Sequence, residues 1–270
     1  MSAPATPAPV ATSVGRRTAR FRVPTKSIRG LLPLIVLLVV WQLLGSDDSV
    51  SFPRPGTWFT AIGDLASSGQ LGPAVRTTLV TFIVSLVVAA VVGVALGMVI
   101  GASRLLERGL TPIMDFFRSL PPPAIVPPAL LLLGASLKMS VTVVSIAIVW
   151  PILLNTITAM RAVPSVRIDM SRTLGLSARE RLLKVVVPSL LPGIMVGVRI
   201  ALSISLVVTL VVDILGSGEG LGKLITDRQQ AFDAAAVWGL LLIIGVFGFL
   251  VNALISVAER RVLRNWPGAV

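Results

Sequence analysis

The stretch "RTLGLSARERLLKVVVPSLLP", Arg172–Pro192, is basic, compatible with helix, and punctuated by one glycine and two prolines, with very apolar sequence on both sides. Ser165 stands where an N-cap would start a helix running through Leu174, and Gly175 suits the left-handed residue that ends one. Ser177 and Glu180 have the Ser-x-x-Glu spacing of a capping box, which starts a second helix at once. That helix is expected to stop near Pro188, after which Ser189–Gly197 enters a membrane. The expectation is a compact helix–turn–helix over 164–188, carrying six basic and two acidic residues between Arg161 and Lys184. A plain loop does not need two capped helices. A docking surface for another protein does.

The flanks set the class. The chain has 270 residues, of which 54% are hydrophobic and 13% charged, against about a quarter charged in a soluble domain. Thr77–Ser103, Ser119–Leu137, Met139–Met160 and Ala234–Ala258 are charge-free windows near or above the roughly 20 residues that cross a bilayer. Gly30–Ser46 is uncharged but short, and Ser189–Val212 is interrupted only by Arg199. Backbone amides in lipid must find partners within the protein, so these runs read as helices. The expected class is an all-α integral membrane protein with about six transmembrane helices.

Charge supports that count. The basic residues Arg16, Arg17, Arg20, Arg22, Lys26 and Arg29 precede the first span, and Arg104 and Arg108 follow the second. Arg161, Arg167, Arg172, Arg179, Arg181 and Lys184 occupy the opening segment, and Arg260, Arg261 and Arg264 the end of the chain. With six spans these all fall on one side, which the bias of positive loops makes cytoplasmic, with both termini inside. Residues 1–29 are rich in Ala, Pro, Thr and Arg and are expected to form a disordered tail. The membrane domain is expected over 30–270, its first helix a retained span rather than a cleaved signal. "SFPRPGTW", Ser51–Trp58, is expected as an external loop, because residues before proline favour extended backbone.

Gly93, Gly97 and Gly101 are four apart, as are Gly193 and Gly197. Such glycines line one helix face and let a neighbouring backbone approach, in ordinary packing or in a tightly packed translocation core. "RSLPPPAIVPP", Arg118–Pro128, has five prolines that cannot share one regular helix. Broken backbone at membrane depth is tolerated where it is buried or lines a water-filled path, so this break is expected beside the pathway. Arg118, Arg199 and Asp213 are ionisable residues in or beside spans and hence candidates for it. Arg199 could instead snorkel or pair with another helix, and Asp213 could be a solvated helix end.

The chain has no Cys, His or Tyr. That removes disulfides, thiolate metal sites and the commonest general base and metal ligand, and disfavours an intramembrane enzyme. "GSGEGLGKL", Gly216–Leu224, ends in Gly-Lys, but Ser217 stands where a phosphate loop needs Gly, and Leu224 where it needs Ser or Thr. It reads as a glycine-rich turn. The chain therefore lacks a nucleotide-binding motif and is not expected to be an enzyme.

At Asp169-Met170-Ser171, Gly175, Val185 and Val187-Pro188 the sequence resembles the membrane subunits of binding-protein-dependent ABC importers. Their signature is Glu-Ala-Ala, three residues, Gly, nine residues, Ile, one residue, Leu-Pro, and the spacing here is intact. The resemblance covers about residues 70–258, including "GEGLGKLI", Gly218–Ile225, and looks most like the nitrate, sulfonate and taurine branch. It implies a type I importer permease fold with cytoplasmic coupling helices, in a bacterial inner membrane. It implies a homodimer, two cytoplasmic ATPase subunits that use the ATP and magnesium, and an extracytoplasmic substrate-binding protein. No cofactor is implied for this chain, and nucleic acid is not an expected partner. Asp169, Met170, Ser171, Gly175, Ser177, Glu180, Val185 and Pro188 would then form the ATPase-coupling segment. A secondary transporter or channel without an ATPase is the alternative.

Overall fold

A computed structural model describes residues 32–47, 49, 51–216 and 218–263. The tail over 1–29, with its six basic residues, and Arg264 lie outside the described residues.

Three long helices make the centre: α3 (Leu71–Ala102), α6 (Leu137–Arg161) and α9 (Val187–Leu215). α3 and α6 run parallel and in register, with Gly93 against Ile152, Gly97 against Thr156 and Gly101 against Met160. α9 runs antiparallel to α6, with Gly193 on Ala159 and Gly197 on Pro151 and Ile152. A Cβ at Gly97 would sit 2.6 Å from the Thr156 Cβ and 2.9 Å from the Leu153 carbonyl oxygen. The glycine spacing is thus a seam of close backbone approach. Ala89, Val143, Ile148, Ala201 and Val212 fill the core between the three helices. Small hydroxyls join it: Ser85 donates to the Val141 carbonyl and Ser145 to the Ser85 carbonyl, both at 3.3 Å.

Because α3 and α6 are parallel, the chain between them must travel back along the bundle. α4 (Arg104–Ser119) and α5 (Pro122–Leu133) make that return together, bent by 88°. At 1.5 Å per residue they are about 24 and 18 Å long, each short of the roughly 30 Å hydrocarbon layer. The window Ser119–Leu137 is therefore only the second half of a broken crossing. Pro121 lies at the break, and Pro122 and Pro123 open α5, where a missing amide donor costs nothing. Contrary to the expectation for this stretch, Pro127 and Pro128 sit inside α5. Their missing donors leave only carbonyls near its first turn unpaired.

Among the described residues four helices are long and apolar enough to cross a membrane, or five if the bent pair counts as one span. The expected first span, α1 (Leu32–Leu44), has 13 residues and reaches about 20 Å. α2 (Pro55–Ser67) corrects the loop expected over Ser51–Trp58: only residues 51–54 are non-helical, and Pro55 starts a helix, the position its fixed φ suits. Trp41, Trp58 and Trp238 tie α1, α2 and α11 (Ala234–Leu263) together, with ring centroids 4.8–5.6 Å apart.

A second correction concerns Pro188. The helix that starts at α8 (Ala178–Arg181) does not stop there. A five-residue π turn, Leu182–Val186, joins it to α9, giving one apolar helix over Ala178–Leu215. In an α-helix the Pro188 ring would clash with the carbonyl four residues back. The π turn shifts the hydrogen-bond register, as the Val187 amide bonded to the Leu182 carbonyl shows. Buried Val186 and Leu190 hold the helix against its neighbours across this point.

Candidate coupling surface and translocation groove

The ends of α3 and α6 and the start of α9 share one end of the bundle. Arg104, Arg108 and the basic residues from Arg161 to Lys184 gather there, and Arg161 bridges Glu107 of α4 at 2.6 Å. α7 (Ser165–Thr173) projects from this end. Pro164, not Ser165, occupies its N-cap position, and Ser165 is the first helical residue with no side-chain cap. Pro164 itself has the non-helical ψ of 132° that a cap residue needs.

The exit follows the expectation. Gly175 has φ of 71°. Its amide bonds the Arg172 carbonyl at 2.9 Å, and the Leu176 amide bonds that of Ser171 at 3.0 Å. This is the paired pattern of a glycine-terminated helix. The capping box is complete: Ser177 Oγ accepts from the Glu180 amide at 3.3 Å, and Glu180 Oε2 accepts from the Ser177 amide at 3.1 Å. Two short-range devices therefore fix the angle between α7 and the long helix. Arg167, donating to Ser189 Oγ at 3.2 Å, braces α7 against it.

Of the signature residues, Asp169 is exposed and pairs with Arg172 at 3.3 Å, Met170 is 59% exposed, and Ser171 is buried with its hydroxyl on the Ile168 carbonyl. Val185 lies in the π turn and Pro188 in α9, both half-buried. They belong to the long helix rather than to a separate second helix. Sequence reasoning passed over the partners of Met170. Val166 and Leu174 are 64% and 75% exposed, and with Met170 they form an apolar stripe along α7 and its C-cap residue Leu174. Their spacing of four was the available signal.

A groove of about 610 Å³ opens midway along α6 and α9, lined by Asp115, Arg118, Trp150, Pro151, Asn155 and Ile204 among others. The proline break lies beside it, through Ser119. Arg118 Nε contacts Asp115 Oδ1 at 3.1 Å. Arg199 is not brought to this groove: its guanidinium pairs with Glu259 of α11 at 3.0 Å. Of the alternatives for Arg199, the interhelical pair is the one observed. Arg199→Gln and Glu259→Gln are each expected to lower stability by about 1 kcal/mol or less. The double variant should be no worse than either single one, and thermal unfolding of the three checks it.

Asp213 is neither a solvated helix end nor a partner of a cation. It is 2% exposed near the end of α9, away from the basic end. Thr78 of α3 donates its hydroxyl to Asp213 Oδ2 at 2.7 Å and accepts the Leu221 amide at 2.8 Å. Gly222 packs directly against Asp213, a Cβ there lying 2.8 Å from the Asp213 Cβ. Leu221 opens α10 (Leu221–Gln230), so Thr78, held by Asp213, satisfies a free amide at its N-terminus. The glycine-rich turn expected here is real, and its end is capped by the Thr78 hydroxyl that Asp213 holds. A side chain at Gly220 would collide with that carboxylate. A second cavity of about 540 Å³ borders this corner, lined by Arg76, Ser136, Asp213 and Glu219 among others.

Parallel and antiparallel crossings packed on glycine, a broken helix beside a largely apolar groove holding one ion pair, and a capped basic bracket define a multi-pass membrane transport subunit. Residues 89–264 match the family described as binding-protein-dependent transport system inner membrane component. The chain belongs to that family and is an ABC importer permease subunit. It is 31% identical over 247 residues to the nitrate import permease protein NrtB of Synechocystis sp., covering 88% of this chain and 90% of that one. It is 30% identical to the bicarbonate transport system permease protein CmpB of Synechococcus elongatus, covering 87% and 90%. Identity to the putative aliphatic sulfonates transport permease protein SsuC of Bacillus subtilis is 26%, covering 88% and 87%. A chain of the inward-facing MetNI methionine ABC transporter superposes with a TM-score of 0.64 at 22% identity, covering 73% of this chain and 98% of that one. The fold is therefore that of a type I importer permease, as expected.

Proposed function

We propose that this permease carries a small, singly charged oxyanion, delivered by a binding protein at the Asp213 end and driven by a separate ATPase at the basic end. The basic end is cytoplasmic, because positive loops are retained there, and with α1 as a further crossing both termini lie on that side. Two copies enclose the path, each contributing one groove. Nitrate, bicarbonate and sulfonates, named for the relatives, share one negative charge and a compact oxygen-bearing head, and Arg118 in the groove suits them. The ATP and magnesium belong to the ATPase, and this chain binds no cofactor.

The carrying observation is the bracket. α7 and its C-cap residue expose Val166, Met170 and Leu174 at the end where the membrane offers no cover, with Asp169, Arg172 and Arg179 around them. An apolar stripe rimmed by charge is the surface a groove in a partner accepts. In the mechanism, ATP-driven closure of two ATPases draws the two α7 helices together. The long helices tilt with them and expose the path alternately to the two sides.

Gly175→Val tests this. No atom lies within 4 Å of a Cβ built at Gly175, so the variant should assemble normally. A β-branched residue resists φ of 71°, so α7 should lose its fixed angle. The expected result is normal ATPase co-purification with uptake of nitrate or taurine per ATP hydrolysed falling about tenfold, a loss of about 1.4 kcal/mol in coupling. Unchanged coupling removes the role given to this turn. Solute flux through the purified chain with no ATPase present favours the ATPase-independent alternative.

A further inference from the structure

We propose that Asp115 is a built-in counter-anion, which holds Arg118 when the groove is empty and is displaced from it by the passing solute anion. This rests on reading the groove as the translocation path.

Among the described residues, Asp115 and Arg118 are the only ionisable side chains lining the groove. They sit one turn apart on α4 and meet at 3.1 Å, just before the break that begins after Ser119. The groove wall facing them is Ala147–Asn155 of α6 and Ile200 and Ile204 of α9, the middle of two crossing helices. An unpaired guanidinium at that depth is costly, and the usual remedy is a paired carboxylate. Asp115 supplies it from the same helix, so the empty groove is neutral.

The pair is also easy to open. Its two side chains are 51% and 53% exposed, and exposed ion pairs contribute little, because water competes for both partners. A carboxylate held at one oxygen, three residues away, does not occupy the whole fork of the guanidinium. An oxyanion arriving in the groove can take the remaining donors in the bidentate geometry that suits Arg. It then leaves when Asp115 returns. Arg118 makes the contact and Asp115 sets its strength, so Asp115 is a positioning residue. The arrangement favours passage over retention, since a site in a transport path must release what it binds.

Trp150 lines the same groove and reports on it. In nanodiscs holding the assembled transporter, its fluorescence is isolated by subtracting a Trp150→Phe counterpart. Iodide serves as the monovalent anion probe and acrylamide as the neutral one. Asp115→Asn should raise iodide quenching of Trp150 about twofold to fivefold, the range an exposed ion pair commands, with acrylamide quenching unchanged. Adding Arg118→Gln should abolish that gain. If acrylamide reaches Trp150 but iodide quenching is unchanged in Asp115→Asn, the counter-anion role falls and the path remains. A parallel rise for both probes assigns Asp115 to packing and also overturns the role. If acrylamide does not reach Trp150, the groove is not a water-filled path, and both readings fail.

Discussion

Gly220→Ala is expected to detach α10 and destabilise the permease by about 3 kcal/mol, at the upper end of the range for overpacking. The added methyl has nowhere to go. Its ideal position overlaps the Asp213 carboxylate. That carboxylate is held by the Thr78 hydroxyl at 2.7 Å and packed against Gly222. Moving it breaks the bridge from Thr78 to the Leu221 amide as well. The first turn of α10 then has an orphaned donor in a buried corner, and an unpaired buried polar group costs about 1–3 kcal/mol. Thermal unfolding and accessibility of a cysteine placed at Thr226 read the two effects separately. Gly218→Ala is the control, since no atom lies within 4 Å of a Cβ there. If Gly220→Ala unfolds at the wild-type temperature with Thr226 still protected, the cap of Thr78 and Asp213 does not hold α10.

The second large effect falls on the glycine seam. Gly197→Val should separate α9 from α6 and cost about 3 kcal/mol or more, enough to deplete folded protein severely. A Cβ there would lie 2.8 Å from the Pro151 carbonyl oxygen and 2.9 Å from the Ile152 Cα. Both obstacles are backbone, so neither can swing aside, and the two branches of valine add to the collision. Gly245 of α11 has no atom within 4 Å of its Cβ position, so Gly245→Val should be nearly neutral for packing. The yield of monodisperse permease from detergent, compared for the two variants, decides the matter. Equal yields would mean that α6 and α9 do not approach as closely as the seam requires.

What could be read in the sequence was short in range. Gly175, Ser177 and Glu180 act on atoms within a few residues, so local spacing revealed the turn and the second start. Glycines four apart revealed a packing face by the geometry of the helix alone. Longer-range contacts were hidden. Whether Asp213 is wet or buried depends on Thr78, 135 positions away, and the bond of Arg199 depends on Glu259, 60 positions away. Pro188 was misread for a related reason. Its missing donor permits either a stop or a register shift, and burial of Val186 and Leu190 by neighbouring helices decides for the shift. Ser165 lost the cap to Pro164 because backbone geometry at proline needs no side-chain bond. The stripe over Val166, Met170 and Leu174 was visible in the letters, but only exposure distinguishes a docking face from a buried one.

The unbroken run from Ala178 to Leu215 has a mechanical consequence. At 1.5 Å per residue it is a rod of about 57 Å, with the rigid Ser177 corner at one tip and Asp213 clamped near the other. Displacement imposed at the corner has no slack linker in which to dissipate. The same stroke therefore reaches the clamp as a lever reaches its load, with give on the way at the widened turn Leu182–Val186 and at Pro192 inside α9.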